Sequence, residues 1–536
     1  MATKSAHVDT FAADNLPPRD LWPEFPNLEK LGYPERMNCA VELIDRHVDE
    51  GRGDRVALIG GDITWTYAEL KDVVDRIAHV LVDRYGLVPG NRVLLRSANN
   101  PMMTAVYFAI IKAGGIVVAT MPLLRAKELK YLVEKPELSL AICDRKLSEE
   151  MEKTRTQTPG LKQVLYFGTD ASDGLEAQMA AYDEPFVACD TATDDVCLIG
   201  FTSGTTGQPK GTMHFHRDML AICDCYSRQV LKPQPDDRFV GSPPLAFTFG
   251  LGGLAVFPLR FGAAATLLEV ASPANMIEII EKYRATVCFT APTAYRVMLQ
   301  AMDHGADLSS LRAAVSAGET LPAPVYEAWM EKTGKPMLDG IGSTEMLHIF
   351  ITNRFDDHRP ACTGRPVGGY EAKVLAEDGS EAPRGTMGRL AVRGPAGCRY
   401  LGGERQGEYV QDGWNITGDT FVHDEDGYFH FAARNDDIIV SAGYNIAGPE
   451  VEAALLGHEA VSECGVIGAP NEARGQIVEA HIVLAKGHVP SDLLVKELQD
   501  YVKATIAPYK YPRSIKFVEA LPKTSTGKIQ RFRLQS

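Results

Sequence analysis

The segment from Phe201 to Gly211 restricts the folding of this chain more than any other part of it. It reads F-T-S-G-T-T-G-Q-P-K-G and follows an apolar run, Cys197–Phe201, that predicts a buried strand. Glycines in such a loop let backbone N–H groups turn towards a phosphate, hydroxyls add donors, and Lys210 adds a positive charge. The spacing differs from G-x-x-x-x-G-K-[ST], so this is not a Walker-type loop. We predict a phosphate-binding loop at the end of a strand rather than a plain surface loop.

The rest of the first 435 residues alternates between two periodicities. Short apolar runs predict strands at Arg55–Gly60, Arg92–Leu95 and Ala285–Thr290, while Tyr67–Tyr85 and Met102–Ala113 carry apolar residues at helical spacing. This alternation is typical of an α/β fold with largely parallel sheets. A chain of 536 residues also exceeds what a single core holds, so at least two domains are expected.

The pattern changes at a polar stretch, Arg434–Asp437, between two segments that read as strands. After it, helices and strands follow one another over about 100 residues, which suffices for a small α+β domain. These segments are Glu450–Leu456, Val461–Gly468, Val478–Ala485, Ser491–Thr505 and Ser514–Phe517. We therefore predict a large domain over residues 1–435 and a small domain over residues 436–536.

Composition narrows the class of protein. A hydrophobic content of 45% and a charged content of 23% are typical of a globular protein, and the net charge of -15 argues against nucleic acid as the main partner. The most apolar stretch, Gly250–Leu268, is interrupted by Arg260 and predicts buried structure rather than a membrane span. The start of the chain has no apolar secretory signal. Ten scattered cysteines indicate reduced thiols in a cytoplasmic protein.

The phosphate-loop segment resembles that of the adenylate-forming superfamily, which contains acyl- and aryl-CoA synthetases, luciferases and peptide-synthetase adenylation domains. Further segments resemble the family's other motifs in the same order along the chain, namely Ser316–Pro322, Asp339–Glu345, Trp414–Asp419, Ser441–Ile446 and Pro522–Ile529. The resemblance covers nearly the whole chain. It implies a large layered N-terminal domain with parallel-rich sheets and a small mobile α+β C-terminal domain.

The resemblance also implies where ATP binds. The residues that match the family's ATP- and AMP-binding positions are Thr202, Ser203, Gly204, Thr205, Thr206, Gly207, Lys210, Gly318, Glu319, Asp339, Gly340, Ile341, Gly342, Asp419 and Arg434. Among the catalytic positions, Thr344 would contact the α-phosphate, and Glu345 would hold Mg²⁺, because a carboxylate facing phosphates needs a cation between them. Asp419 would accept hydrogen bonds from the ribose hydroxyls. Ile341 stands where many members have Tyr, so an aliphatic adenine face is expected.

Two further positions bear on the order of events. Lys528 matches the adenylation lysine, a cation that stabilises the charge formed when a carboxylate attacks the α-phosphate. Asp436 matches the domain hinge. The loop that lines the coenzyme A tunnel matches Ser441, Ala442, Gly443 and Tyr444. Since Lys528 and this loop serve different steps, the small domain is expected to rotate between them.

The acyl pocket is expected after the phosphate loop, in Pro243–Gly252, and around Glu345. The first stretch contains no Asp to pair a buried ammonium, which argues against an amino acid substrate. The stretches Asp339–Ile351 and Ala442–Glu452 resemble benzoate-CoA and 2-aminobenzoate-CoA ligases. The expected pocket residues are Phe247, Phe249 and Ile341 as a flat apolar slot, with Thr248 and His348 either meeting a ring substituent or only satisfying backbone groups.

The sequence therefore predicts an AMP-forming aryl acid:CoA ligase that uses ATP, Mg²⁺ and coenzyme A on benzoate or 2-aminobenzoate. Two alternatives stay open: an enzyme that loads the aryl group onto a carrier protein, and a non-catalytic aryl-acid binding protein. Retention of Thr344, Glu345, Asp419 and Lys528 argues against the second. Neither a membrane span nor a nucleic-acid partner is expected, and monomer and homodimer are both compatible with the sequence.

Overall fold

The computed structural model describes residues 4–534 apart from 203–208, 404, 435–436, 442–443, 472–473, 507 and 524–527. Two large sheets occupy the first part of the chain. Their strands are β1 (Val56–Gly60), β2 (Ile63–Thr66), β3 (Arg92–Arg96), β4 (Ile116–Thr120), β5 (Leu140–Asp144), β6 (Gln163–Phe167), β7 (Val196–Phe201), β8 (Gly211–Phe215), β9 (Arg238–Gly241), β10 (Ala264–Thr266), β11 (Val287–Thr290), β12 (Ala313–Ser316), β13 (Met337–Gly342), β14 (Ile349–Thr352) and β15 (Arg365–Pro366).

Helices connect and cover these strands. They are α1 (Phe11–Asp14), α2 (Arg46–Asp49), α3 (Tyr67–His79), α4 (Pro101–Lys112), α5 (Ala126–Glu134), α6 (Ser148–Gln157), α7 (Leu175–Met179), α8 (His216–Ile222), α9 (Thr248–Leu251), α10 (Phe257–Phe261), α11 (Pro273–Tyr283), α12 (Pro292–Met302) and α13 (Ala323–Thr333). Segments with π-type turns adjoin several of them, at Val41–Asp45, Val80–Arg84, Cys223–Leu231 and Gly252–Val256.

The first sheet has the strand order β6-β5-β3-β4-β7-β8. Its strands run parallel except for β8, which pairs antiparallel with β7 in the register Phe201↔Gly211. The described ends of the segment predicted to bind phosphate thus pair across an edge hairpin. Strands β3 and β5 are buried on both faces, as expected for a parallel sheet covered by helices on each side.

The second sheet has the order β15-β14-β13-β12-β11-β9-β10-β1-β2. Its centre, from β13 to β1, is parallel, and the outer strands are antiparallel. Helix α4 is buried at every position except Met102, and one hydrophobic core joins residues of both sheets, including Leu58 and Val93. The two sheets therefore pack as layers around shared helices.

Two smaller sheets follow. The first is antiparallel and contains β16 (Glu371–Leu375), β17 (Met387–Arg393), β18 (Val410–Gln411), β19 (Trp414–His423) and β20 (Phe429–Arg434), with helix α14 (Gln406–Tyr409). The last contains β21 (Ile438–Ser441), β22 (Tyr444–Ala447), β23 (Val461–Asn471), β24 (Gly475–Leu484) and β25 (Ser514–Phe517), with α15 (Gly448–Leu456) and α16 (Asp492–Thr505). This small α+β unit has its own core, around Val451, Ile482 and Leu498.

The predicted fold class is confirmed: a large N-terminal part with parallel-rich sheets precedes a small α+β part. The helix predicted at Tyr67–Tyr85 is present as α3 followed by π-type turns. The apolar stretch Gly250–Leu268 is folded into short helices and β10 and is largely buried. None of the helices in the described part of the chain combines the length and apolar composition that crossing a lipid bilayer requires. All ten cysteines are free thiols.

A buried lysine anchors α4 within the large domain. Lys112 is fully buried and forms ion pairs with Asp45 and Asp75, both also buried. Burial raises the pKa of Asp45, and the ammonium of Lys112 opposes that rise. Removing a single partner from such a group leaves uncompensated charge in the interior.

Lys112→Met should therefore lower the free energy of unfolding of the large domain by about 3–5 kcal/mol. The matched control is Lys130→Met, since Lys130 is an exposed lysine paired with Glu134 at 3.7 Å, and its loss should change the free energy by less than about 0.5 kcal/mol. Urea unfolding followed by tryptophan fluorescence measures both. Equal losses in the two variants would show that the buried ion pairs of Lys112 contribute no more to the free energy of unfolding than an exposed pair.

Candidate active site

Two hydrogen bonds close the loop end of the phosphate-loop hairpin. The N–H of Thr202 donates to the carbonyl of Lys210 at 3.0 Å, and the N–H of Lys210 donates to Thr202 Oγ1 at 3.1 Å. Residues Ser203, Gly204, Thr205, Thr206 and Gly207 lie outside the described residues. The Lys210 ammonium lies 5.2 Å from the centre of the Tyr400 ring, a cation–π contact that holds the charge at the mouth of the loop.

The turn containing Thr344 and Glu345 reaches the same hairpin from the second sheet. His214 Nε2 donates to the carbonyl of Thr344 at 2.8 Å, and the Tyr400 hydroxyl donates to Glu345 Oε1 at 2.7 Å. A Cβ atom at Gly200 would lie 3.1 Å from Thr344 Cγ2, so the absence of a side chain there permits this close approach. Thr344 and Glu345 are thereby fixed beside strands β7 and β8, which flank the predicted phosphate loop.

A fully buried ion pair supports this arrangement. Arg399 pairs with Asp218, which also accepts a hydrogen bond from the Phe215 N–H at 3.0 Å and lies 3.6 Å from His214 Nδ1. Burial opposes ionisation of Asp218, but Arg399 and His214 outweigh it and hold the pKa of this carboxyl below its ordinary value. The pair connects β8 and α8 to the segment that carries Tyr400.

The residues matched to adenine binding lie on β13 and after β12, at the carboxyl ends of parallel strands. Asp339, Gly340, Ile341 and Gly342 form the end of β13, where Thr352 Oγ1 donates to the Asp339 carbonyl at 2.7 Å. Burial raises the pKa of the Asp339 carboxyl well above its ordinary value, and Asp339 Oδ1 has no hydrogen-bond partner. A buried polar atom without a partner suits a ligand that supplies one.

The residues matched to ribose binding form an ion pair. Arg434 Nη1 lies 2.7 Å from Asp419 Oδ1, and this contact raises the pKa of Arg434. Asp419 is buried at the end of the β19–β20 pairing, and its N–H donates to Thr417 Oγ1 at 3.3 Å. The guanidinium of Arg434 therefore fixes the Asp419 carboxylate, and the rest of the Arg434 side chain remains exposed.

Lys528 comes from the small domain into the same cleft. A Cβ atom at Gly318 would lie 3.8 Å from Lys528 Cε, and Asp419 and Glu319 both act electrostatically on its ammonium. Desolvation in the cleft and the charge of Arg434 lower the pKa of Lys528, and the two carboxylates oppose this. Burial raises the pKa of Glu319 against the opposing charges of Lys523 and Lys528.

The residues matched to the acyl pocket surround the start of α9. Phe247 precedes the helix, Thr248 begins it, and a Cβ atom at Gly200 would lie 3.9 Å from Thr248 Cγ2. Phe249 packs against Phe289 with ring centres 5.5 Å apart. Thr248 and Ile341 are both half-buried. The short distance between Gly200 and Thr248 places this part of the predicted pocket next to the phosphate-loop hairpin.

His348 lies deeper than the other pocket residues. The rings of Tyr226, Phe249, Phe257 and Phe289 surround it at centre distances between 4.5 and 6.3 Å. Neither ring nitrogen makes a hydrogen bond of normal geometry. Burial lowers the pKa of His348 to about 3, and the nearby backbone of Phe249 opposes that fall only in part. A Cβ atom at Gly252 would lie 2.3 Å from His348 Cδ2, so the imidazole fills the space above that glycine.

The residues matched to coenzyme A binding are only partly described. Ser441 is buried and accepts a hydrogen bond from Arg474 Nε at 3.3 Å, and its backbone pairs with that of Tyr444. Ala442, Gly443 and Asp436, the predicted hinge residue, lie outside the described residues.

Several residues of the cleft escaped the sequence analysis. Tyr400 and His214 belong to no motif that we recognised, although a histidine within an otherwise apolar strand needs a polar partner and could have been flagged. Arg296 of α12 also contacts the small domain: its guanidinium donates to the carbonyls of Ser462 and, at 3.3 Å, of Val461. A partner so far away in sequence leaves no local pattern.

Known proteins resemble this chain over almost its full length. The family model for AMP-binding enzymes matches residues 44–400, and that for the AMP-binding enzyme C-terminal domain matches residues 450–528. A benzoate–CoA ligase of Thauera aromatica is 36% identical over 511 residues, which cover 94% of this chain and 97% of that protein. A 3-hydroxybenzoate–CoA ligase of Aromatoleum sp. (strain CIB) is 31% identical, with coverages of 93% and 96%.

Solved structures agree with these sequence matches. An anthranilate CoA ligase in complex with anthranoyl-AMP superposes with a TM-score of 0.89 at 34% identity, covering 94% of this chain and 98% of the other. A benzoate CoA ligase from Burkholderia xenovorans LB400 superposes with a TM-score of 0.85 at 30% identity, covering 93% and 100%.

Arg296→Ala should weaken the contact between the small domain and the large domain. It removes two hydrogen bonds from a charged donor, each worth about 1.5–3 kcal/mol. The population of the arrangement with Lys528 in the cleft should fall, by roughly tenfold or more. Hydrogen exchange at β23 and small-angle scattering report the change. Arg284→Ala is the matched control, since Arg284 pairs with Asp307 on the surface at 2.7 Å. Identical profiles for both variants would show that Arg296 does not hold the domains together.

Proposed function

The chain belongs to the family of AMP-binding enzymes and is an acid–thiol ligase, and we propose that it joins a small aromatic carboxylic acid to coenzyme A at the expense of ATP. The observation that carries the ligase chemistry is the meeting of Lys528, the Asp419–Arg434 pair and the Thr344–Glu345 turn around one cleft. The aromatic substrate rests on relatives named for benzoate, 3-hydroxybenzoate and anthranilate.

In the first half-reaction, a carboxylate oxygen of the acid attacks the α-phosphorus of ATP and pyrophosphate leaves. Negative charge builds on the phosphoryl oxygens, and a fixed cation stabilises it without reorganising. Lys528 supplies that cation from the small domain, and Thr344 orients the α-phosphate. The single carboxylate of Glu345 fits a Mg²⁺ ion held mainly by phosphate oxygens and water, which would neutralise phosphate charge when bound.

In the second half-reaction, the sulfur of coenzyme A attacks the acyl carbonyl and AMP leaves. Lys528 occupies the cleft in this structure, so the small domain has to rotate before the loop from Ser441 to Tyr444 reaches the acyl adenylate. We place the pivot at Asp436, between the end of β20 and the start of β21, and with it the boundary between domains 1–435 and 436–536. The ten free thiols support action in the reducing cytoplasm.

Lys528→Ala should lower acyl adenylate formation by roughly two to three orders of magnitude, the usual loss for one electrostatic stabiliser. It should leave thioester formation from supplied aryl-AMP nearly unchanged. Pyrophosphate exchange measures the first step and coenzyme A consumption measures the second. Lys516→Ala, which removes a lysine paired with Glu479 at 2.9 Å in the same domain, should affect neither step. A parallel fall of both steps in Lys528→Ala would contradict its assignment to adenylation.

The choice of ring substituent depends on His348 and Thr248. With its pKa near 3, His348 is neutral at pH 7 and keeps one nitrogen as a hydrogen-bond acceptor, and that nitrogen has no protein partner. An ortho amine on the substrate ring is a donor that would satisfy it, whereas benzoate would leave it unpaired. We therefore propose 2-aminobenzoate as the preferred acid over benzoate.

The predicted preference in kcat/KM is roughly 5- to 150-fold, which corresponds to about 1–3 kcal/mol for one unsatisfied buried polar group. His348→Leu and Thr248→Val should each be tested. The variant that removes the hydrogen-bond acceptor of the ring amine should abolish the preference for 2-aminobenzoate and leave kcat/KM for benzoate nearly unchanged. Phe257→Leu trims a ring beside His348 without removing a polar atom, so it should affect both acids alike. Equal kcat/KM for both acids in the wild type would contradict the preference for 2-aminobenzoate. Faster turnover of an eight-carbon fatty acid than of either aromatic acid would contradict the proposal of an aromatic substrate.

The acceptor thiol has one rival, the phosphopantetheine of a carrier protein. The same cleft chemistry serves both acceptors, so the discriminating observation is turnover with free coenzyme A. The relatives named as CoA ligases support free coenzyme A.

A further inference from the structure

Two cysteines and a histidine meet at the base of the phosphate-loop hairpin, at the end of β7 and β8 opposite the loop. Cys39, Cys197 and His216 each offer a ligand atom, and these atoms lie within 4.8 Å of one another. All three residues are buried, with exposures of 0%, 0% and 1%. We propose that Cys39, Cys197 and His216 form a binding site for a thiophilic d¹⁰ metal ion, with Cu(I) as the ion that their donors fit best.

Three separate parts of the fold supply the donors. Cys197 lies on β7, and His216 begins α8 directly after β8, where Val196 and Phe215 pair across the hairpin. Cys39 comes from the segment before the π-type turns at Val41–Asp45. That segment is fixed by the Asn38 side chain, which donates to the Ile111 carbonyl at 3.0 Å and accepts from the Ala40 N–H at 3.1 Å. The three donors are thus held in place by secondary structure around them.

The imidazole is oriented by a hydrogen bond from the backbone of Cys39. His216 Nδ1 accepts a hydrogen bond from the Cys39 N–H at 3.1 Å, so this nitrogen carries no proton and faces the Cys39 residue. An ion at the centre would replace that hydrogen bond as the partner of Nδ1. The backbone N–H of His216 donates to the Asp195 carbonyl at 3.2 Å, which fixes the ring's attachment point.

The thiols differ in their readiness to ionise. Burial opposes ionisation of Cys39, but its contacts with Cys197 and His216 outweigh it and hold the pKa of the thiol below its ordinary value. Burial raises the pKa of Cys197 well above its ordinary value. Metal binding would release the two thiol protons and turn both sulfurs into thiolate ligands.

The donor set decides the class of ion. Two sulfurs and one imidazole nitrogen are soft to intermediate ligands, which select Cu(I) or Zn²⁺ over Mg²⁺ or Ca²⁺. Structural Zn²⁺ sites are almost always four-coordinate. The described residues around this buried cluster offer three ligands, a number that suits Cu(I) better.

Such an ion would join the Cys39 segment to Cys197 on β7 and to His216 directly after β8. The hairpin carries the phosphate loop at its other end, so occupancy would stabilise the strand pairing on which the loop depends. A ligand that binds only the folded state adds stability in proportion to the logarithm of its concentration over its Kd. Thermal stability should therefore respond to the ion even where no substrate is present.

The experiment uses the full chain, reduced and handled without oxygen, and purified from cells grown with and without added copper. Metal content per chain and a Cu(I) titration against a chromophoric chelator measure occupancy and affinity. The expected result is one Cu(I) per wild-type chain with a thiolate-to-copper absorption band in the ultraviolet. Cys39→Ser and Cys197→Ser should each weaken binding by more than about 100-fold, since even outer-shell changes cost about 10–100-fold. Cys464→Ser, which removes a buried thiol of the small domain, should bind like the wild type.

X-ray absorption of the copper-loaded wild type tests the site without any variant, and it should show two sulfur neighbours and one nitrogen neighbour. Absence of bound copper in the wild type, or equal binding in all three serine variants, would overturn the proposal. Peroxide-induced loss of the Cys39 and Cys197 thiols without copper binding would also overturn it and assign the pair to disulfide formation. Preference for zinc over copper in competition would overturn the choice of ion.

Discussion

The buried pair of Asp218 and Arg399 is the interaction on which the cleft depends. Both side chains are completely buried, so removing either charge would leave the other without compensation, which commonly costs about 3–5 kcal/mol. Their neighbours along the chain carry the site: Tyr400 follows Arg399 and holds Glu345, and His214 contacts Asp218 and holds Thr344. A turn from the second sheet is thereby fixed against a hairpin of the first.

The position of the site could be predicted from the sequence because it lies at the ends of strands. The loop after Phe201, the segment after Ser316 and the end of β13 each follow an apolar strand, and ligands of α/β sheets bind outside the carboxyl ends of strands. Local periodicity and glycine content reveal such junctions. The supporting contacts could not be predicted in the same way, since Asp218 and Arg399 are 181 positions apart and nothing local marks either as a partner. The sequence likewise left open whether His348 meets a ring substituent or only satisfies backbone groups, because its surroundings are four rings from distant segments.

The described contacts between the two domains combine an apolar cluster with hydrogen bonds to backbone carbonyls. The small domain has its own core around Val451 and Leu498, and its apolar contact with the rest of the chain includes the short side chains of Ala433 and Ala447. Arg296 adds hydrogen bonds to backbone carbonyls, which exist on any sequence of the facing strand. Contacts of this kind hold one orientation partly through polar groups that water can replace when the domains move apart. The rotation that we propose for the small domain would break and remake such contacts.

The close approach of Gly252 to His348 has a consequence for how the substrate range of this enzyme can change. The π-type turn at Gly252–Val256 leaves no room for a side chain against the imidazole, so the floor of the proposed acyl pocket is set jointly by two residues nearly 100 positions apart. Enlarging the side chain at either position alone forces a clash, and shrinking His348 alone opens a void. Paired exchanges that keep the summed volume constant avoid both penalties. Divergence towards larger or smaller acids would then proceed by coupled steps at these two positions, and the two should covary among descendants of this sequence that retain a packed pocket.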